Sequence, residues 1–142
     1  MTGALTENIH ASCVAAFGRG LLILGPSGSG KSSLALQLIG LGASLVADDR
    51  VDLSCRGTSL FAQAPATLEG RIEARGIGIL RAEAIAETEL HLAVQLSEDE
   101  GPRLPDWHEI VFMQRKLNLV RVPLRAHLAA SLLLYLRGGR AD

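Results

Sequence analysis

The sequence predicts a mixed α/β (α+β) domain organised around one strand–loop–helix unit. Three observations predict it. An apolar run, Leu21 to Leu24, leads directly into Gly25-Pro26-Ser27-Gly28-Ser29-Gly30-Lys31-Ser32. Leu34, Leu38 and Leu41 then recur at helical spacing, with Ala35 and Ile39 beside them. Most of the remaining chain consists of short apolar or alternating runs bounded by turn residues, the pattern of strands.

Taken in order, Val14 to Phe17 is β-prone, Gly18-Arg19-Gly20 breaks it, and Leu21 to Leu24 reads as a buried strand. The helix after the loop finds its breaks at Gly40 and Gly42. "ASLVADD" is a short strand ending in Asp48 and Asp49. "RVDLSC" and "TSLFAQA" pair as a hairpin around Arg56-Gly57, and Thr67 to Ile72 is ambiguous between states. Gly76 and Gly78 flank Ile77 and precede a short helix expected from Arg81 to Glu87. "ELHLAVQLS" is a strand, "EDEGPRLPDWHE" a polar loop, and "EIVFMQRKLNLVRVPL" one or two further strands. "RAHLAASLLLYLRGG" is a C-terminal helix closed by Gly138-Gly139. There is no internal repeat.

A chain of 142 residues is read as one domain over 1–142, large enough to bury about 68–70% of its unfolded surface. Aromatic residues make up only 4%, so Leu, Ala, Val and Ile must fill the core. A formal net charge of −1 gives no support for a nucleic-acid field, and no nucleic-acid partner is expected. Cys13 and Cys55 lack metal-site spacing and read as small apolar residues. The N-terminus has no apolar segment of the signal-peptide kind. The longest apolar run, "LAASLLLYL", falls far short of the roughly 20 residues that span a bilayer. A cytoplasmic protein without membrane insertion is the expectation.

Gly25 to Ser32 fits G-x-x-x-x-G-K-[ST], a phosphate-binding loop. Glycines let backbone N–H groups approach phosphate oxygens, and the following helix points its positive end at the same anion. Lys31 reaches the β/γ-phosphates as a point charge, and the Ser32 hydroxyl helps to hold Mg²⁺. Chance alone yields the motif in about one chain in two hundred of this length; here it also has the strand before it and the helix after it. Ser27, Ser29 and Ser33 are weaker phosphate contacts, since any tight loop uses small polar residues.

Asp48 and Asp49 follow after a single helix, at the end of a strand beside that loop. Adjacent residues of an extended strand face opposite ways, which suits two roles: one carboxylate near the metal, one near an acceptor hydroxyl. An Asp-Asp turn ahead of the hairpin is the competing reading.

Four stretches resemble the catalytic domain of HPr kinase/phosphorylase, the bacterial P-loop family that phosphorylates a serine of the phosphocarrier protein HPr. They are "NIHASCVAAFGRGLLILGPSGSGKSSLALQLIGLGASLVADDRV", "IEARGIGIL", "PRLP" and, faintly, "VPLR", together spanning about residues 8–126. The first two are specific. The resemblance implies a phosphoenolpyruvate-carboxykinase-like P-loop fold with a mixed β-sheet and helices. It implies His10 at the active site, Lys31 and Ser32 on phosphate and Mg²⁺, and Asp49 taking the serine proton. It implies Glu73 as a second Mg²⁺ ligand, Asp48 supporting the metal, Arg75, Gly76 and Gly78 shaping the reacting loop, and Arg103 stabilising the transferring phosphoryl group. ATP and Mg²⁺ are the implied cofactors, with pyrophosphate a further candidate. HPr is the implied partner, and a homo-oligomer, a hexamer in the family, the implied assembly. The chain resembles the short form without the larger N-terminal domain. The family's Pro-rich segment tied to dephosphorylation is reduced here to Val122-Pro123-Leu124-Arg125-Ala126, so the kinase half is implied more fully than the phosphorylase half.

Other readings stay open on the residues alone: a small-molecule kinase or NTPase on the same loop, or a non-catalytic nucleotide sensor. His10, Glu73, Arg75 and Arg103 each have a bland alternative as surface residues. His91, His108 and His127 carry no pattern, and Trp107 reads as a packing anchor in the polar loop.

Overall fold

A computed structural model describes residues 6–65, 70–99, 101–103 and 105–142. The chain runs β1 (Thr6–Ile9), β2 (Ser12–Ala16), β3 (Arg19–Leu24), α1 (Lys31–Gly40), β4 (Ser44–Ala47), β5 (Val51–Arg56) and β6 (Ser59–Gln63). It continues through β7 (Arg71–Ala74), β8 (Gly78–Arg81), β9 (Glu87–Leu96), β10 (His108–Phe112), β11 (Arg115–Val122) and α2 (Leu128–Gly138). The mixed α/β expectation holds. The main sheet has nine strands, in the order β1-β5-β6-β9-β3-β2-β4, with β11 beside β9 and β10 outside β11. β7 and β8 form a separate two-stranded sheet.

β9 is the parallel neighbour of both β3 and β11, with Leu24 level with Gln95 and Leu96 level with Val122. Their carboxyl ends therefore share one edge of the sheet, the edge where open α/β sheets bind ligands. β2 runs antiparallel to both β3 and β4, so β4 also ends at that edge. The P-loop, the Asp48-Asp49 pair, the start of β2, the Arg103 segment and residues 123–127 all spring from it.

Alternation along the central strands supplies two cores. Leu21, Ile23, Leu92, Val94 and Leu96 face the helices and pack with Leu34, Leu38, Leu132 and Leu136. Leu22 and Ala93 face the other way, onto Leu53, Leu60, Leu117 and Leu119. Each fully buried leucine contributes about 1.5–3 kcal/mol, which is how a core this poor in aromatics is sufficient. Cys13 lies in the second core, where burial pushes its thiol far above its ordinary value. Cys55 is half-buried.

α1 ends as its glycines predict. Gly42, at φ 114, lets its own N–H reach the Ile39 carbonyl and the Ala43 N–H reach that of Leu38. The break in the first hairpin falls at Phe17-Gly18, with φ 58 and 72, the two-residue turn that matches strand twist. Arg19 and Gly20 are already in β3, and a Cβ on Gly20 would stand 2.8 Å from the Glu89 carbonyl oxygen. Of the ambiguous stretch, residues 67–69 lie outside the described residues, and Arg71 and Ile72 open β7.

The helix expected from Arg81 to Glu87 does not form. Arg81 closes β8, and the chain then runs extended beside β4. The Leu45 N–H donates to the Glu83 carbonyl and the Ile85 N–H to that of Leu45. Seven residues are too few to nucleate a helix unaided, and the unpaired edge of β4 satisfied these backbone groups instead. Among the described residues no helix is long and apolar enough to cross a membrane.

Candidate active site

The loop between β3 and α1 is held in shape from within. Gly25, Gly28 and Gly30 adopt φ of 154, 81 and 105, a region that only glycine enters freely. The Ser29 N–H donates to the Pro26 carbonyl at 3.0 Å. A Cβ on Gly30 would stand 2.6 Å from Leu124 Cδ2, so the reduced Pro-containing segment packs directly on the loop.

Three features equip this loop for an anion. Lys31 is buried to 7% exposure, and its Nζ donates to the carbonyls of Gly25 and Pro26, at 2.8 and 3.1 Å. No carboxylate shares in those bonds, so the ammonium charge remains available to phosphate. α1 has no side-chain cap and no acidic residue of its own in its first turn, leaving backbone N–H groups at its positive end for an anion. Ser29 Oγ is buried with no hydrogen-bond partner, a polar group that costs free energy unless a ligand satisfies it.

The two aspartates diverge. Asp48 Oδ1 accepts from Ser32 Oγ at 2.8 Å and from Ser12 Oγ at 2.8 Å. Hydroxyl and carboxylate oxygens thus converge at the head of α1, a donor set that suits a hard cation such as Mg²⁺, which keeps most of its waters. Asp49 turns away, and its Oδ1 lies 2.7 Å from His10 Nε2. Its side chain is 74% exposed.

The divergence does not come from strand alternation, as the sequence suggests. Asp49 sits at φ 72, and the Arg50 N–H donates to the Asp48 carbonyl at 2.9 Å. That is a tight γ-turn with positive φ at its centre, a rare and strained form. The Ala11 N–H to the Asp49 carbonyl, at 3.2 Å, ties the turn to the residue after His10. Strain of this kind costs on the order of 1–3 kcal/mol and concentrates at functional sites.

The other expected site residues are less closely gathered. Arg103 is exposed and lines a cavity of about 760 Å³ with Arg121, Arg125, His127 and Tyr135. Pro123, in the same lining, adjoins Leu124 and so the P-loop. Glu73 is exposed on β7 and bonds neither Ser32 nor Asp48. Among the described residues no group of three or more His, Cys, Asp or Glu side chains is placed to hold a metal. Arg75 and Gly76 lie in the exposed turn of the β7–β8 hairpin and Gly78 opens β8, with the Ile77 N–H donating to the Ala74 carbonyl. β7 is fixed from beneath by Ile72, part of the core that includes α1. An apolar cavity of about 470 Å³ around Phe17, Leu41 and Ile85 contains none of the candidate residues.

Sequence reasoning missed Ser12. It is fully buried and donates to the same Asp48 oxygen that Ser32 engages. The available signal was a hydroxyl residue opening the otherwise apolar run "SCVAA".

The profile of the HPr Serine kinase C-terminal domain matches residues 2–126. The HPr kinase/phosphorylase of Clostridium acetobutylicum is 33% identical over 124 residues, covering 82% of this chain and 40% of that protein. Its counterpart in Mycoplasmopsis pulmonis is 36% identical, covering 65% of this chain and 32% of that protein. In Lactiplantibacillus plantarum the identity is 45%, covering 56% and 26%. The chain thus spans well under half the length of these curated relatives. The solved HPr(Ser) kinase/phosphatase from Coxiella burnetii superposes with a TM-score of 0.79 at 26% identity, covering 92% of this chain and 88% of that one.

Proposed function

The chain belongs to the HPr serine kinase C-terminal domain family, and from that premise we propose that it transfers the γ-phosphoryl group of ATP to a serine of an HPr-like phosphocarrier protein. The observation that carries the proposal is the division of labour between the adjacent aspartates: Asp48 bound to the P-loop Ser32, Asp49 bound to His10.

In this reading the P-loop amides, Lys31 and the N-terminus of α1 hold the phosphates of ATP. Ser32 and Asp48 would hold Mg²⁺, which would offset phosphate charge, with Glu73 as a further ligand. Asp49 Oδ1 is engaged by His10, which leaves Oδ2 to accept the proton of the serine hydroxyl. As the serine oxygen bonds to the γ-phosphorus, the bond from phosphorus to ADP breaks. Arg103 would neutralise charge on the transferring group, and the Arg75–Gly78 turn would shape the acceptor side. Little covalent chemistry is asked of the protein, so positioning and electrostatics account for the rate. Use of pyrophosphate, assembly as a hexamer and a cytoplasmic location belong to the same reading.

The test is labelling of purified HPr by γ-labelled ATP with Mg²⁺, using Lys31→Ala as control. Label on a serine, lost in Lys31→Ala, supports the proposal. Tight nucleotide binding without transfer to HPr would overturn it in favour of a nucleotide sensor. Release of label from phosphorylated HPr by inorganic phosphate tests the phosphorylase half separately.

A further inference from the structure

The described residues around Arg103 lie at the surface. Gly101, Pro102 and Arg103 are all exposed, yet a phosphoryl-stabilising arginine must be placed closely, because a misplacement of about 1 Å can cost on the order of a hundredfold in rate. The fixing contacts come from the other end of the chain. α2 stops at Gly138, and Gly139, at φ 72, turns the backbone so that Arg140 folds back over the segment. The Arg140 guanidinium lies 4.2 Å from the centre of the Trp107 ring. Its Nη2 donates to the Pro105 carbonyl at 2.9 Å. Nε and Nη2 also donate to the two oxygens of Asp142, at 2.9 and 2.7 Å. The Arg140 side chain is only 16% exposed.

We infer that Arg140 is a positioning residue for phosphoryl transfer, clamping the segment that presents Arg103 to the C-terminal helix. Trp107 is the packing anchor of this clamp, and Arg140 and Arg103 line the same cavity. Only arginine combines a planar face for the indole with a fork for the carboxylate. Arg140 lies beyond residue 126, where the family match ends. The inference rests on the proposed kinase reading for its catalytic consequence, and on geometry alone for the clamp.

The experiment uses the full chain with Arg140→Ala, Arg140→Lys, Asp142→Ala, Arg103→Ala and the Arg103→Ala/Arg140→Ala double variant. Arg140→Ala should lower kcat for HPr labelling on the order of tenfold, with KM for ATP changed by less than about twofold. Arg140→Lys should not restore it, and Asp142→Ala should give a smaller loss. The double variant should be no slower than Arg103→Ala, because a residue acting through Arg103 has nothing left to act on. An unchanged kcat in Arg140→Ala, or an equal loss on the Arg103→Ala background, overturns the inference. If the wild-type protein labels no HPr, the kinase reading fails, and the clamp is judged on amide exchange across residues 101–107. Faster exchange in Arg140→Ala supports it, and unchanged exchange overturns it.

Discussion

The P-loop and the Arg103 segment rise from the same sheet edge and are held in opposite ways. The P-loop is fixed by its own residues, with Lys31 tied to the carbonyls of Gly25 and Pro26, and by the packing of Leu124 against Gly30. The Arg103 segment is fixed by Arg140, which is distant in sequence and reaches it through an exposed indole and one backbone carbonyl. In the proposed kinase reading, the group that binds phosphate at every turnover is preorganised locally, and the group that meets charge only as it develops is positioned through a clamp that a single side chain can release.

The largest effect should come from the Asp48-Asp49 turn on the P-loop side. Asp49→Asn keeps the His10 contact and the γ-turn but cannot accept the serine proton. Transfer should fall on the order of 10²–10⁴-fold while nucleotide affinity holds, as single-turnover labelling and ATP titration would report. A near-normal rate would remove Asp49 as the base and erase the distinction between the paired carboxylates.

A smaller effect is expected at Ser12, the buried donor to Asp48. Ser12→Ala deletes a hydrogen bond to a charged group and should cost about 1.5–3 kcal/mol, read in denaturant unfolding. Mg²⁺-dependent transfer should fall with it, because Asp48 would then be held by Ser32 alone. Unchanged stability and metal dependence would show that Ser32 suffices.

The smallest effect concerns acid. Arg140, hydrogen-bonded to Asp142, holds that carboxyl below its ordinary value of 3.8. A depressed carboxyl stabilises the folded form above its unfolded pKa and ceases to do so as pH falls through its folded pKa. Fluorescence of Trp107, the single tryptophan, should stay flat from neutrality down to that ordinary value and change only below it. Asp142→Ala should abolish that acid step. A transition that survives in Asp142→Ala would show that the Arg140–Asp142 pair is not what the tryptophan reports.

What the sequence made legible follows the same division. The P-loop, α1 and its Gly42 cap, β4 and the approach of two carboxylates to the loop are all encoded within about thirty residues, where motif and periodicity suffice. The hairpins were legible because alternation and turn residues are local too. The Arg81–Glu87 segment misled because Ala and Glu favour a helix in isolation, while the open edge of β4 was a tertiary fact. The γ-turn at Asp49 was hidden by the strand before it, which suggested an extended chain. Ser12 and Arg140 draw their roles from residues 36 and 35 positions away in the chain; a hydroxyl opening an apolar run hints at the first, and no local pattern announces the second.

The shared carboxyl edge also has a consequence for how the protein is made. β3 emerges early from the ribosome, but Leu21 finds its parallel partner only at Leu92, and Ala93 waits for Leu119. Non-local parallel pairing of this kind is slow, because loop closure precedes any reward from contact. The nascent chain therefore carries a complete nucleotide-binding motif on the β2–β3–β4 sheet before the parallel half of the sheet exists, and competence for nucleotide should appear abruptly, after β11 has been synthesised, rather than grow with chain length. Until β9 is made, the side of β3 away from β2 is an open apolar edge, the kind of surface chaperones cover.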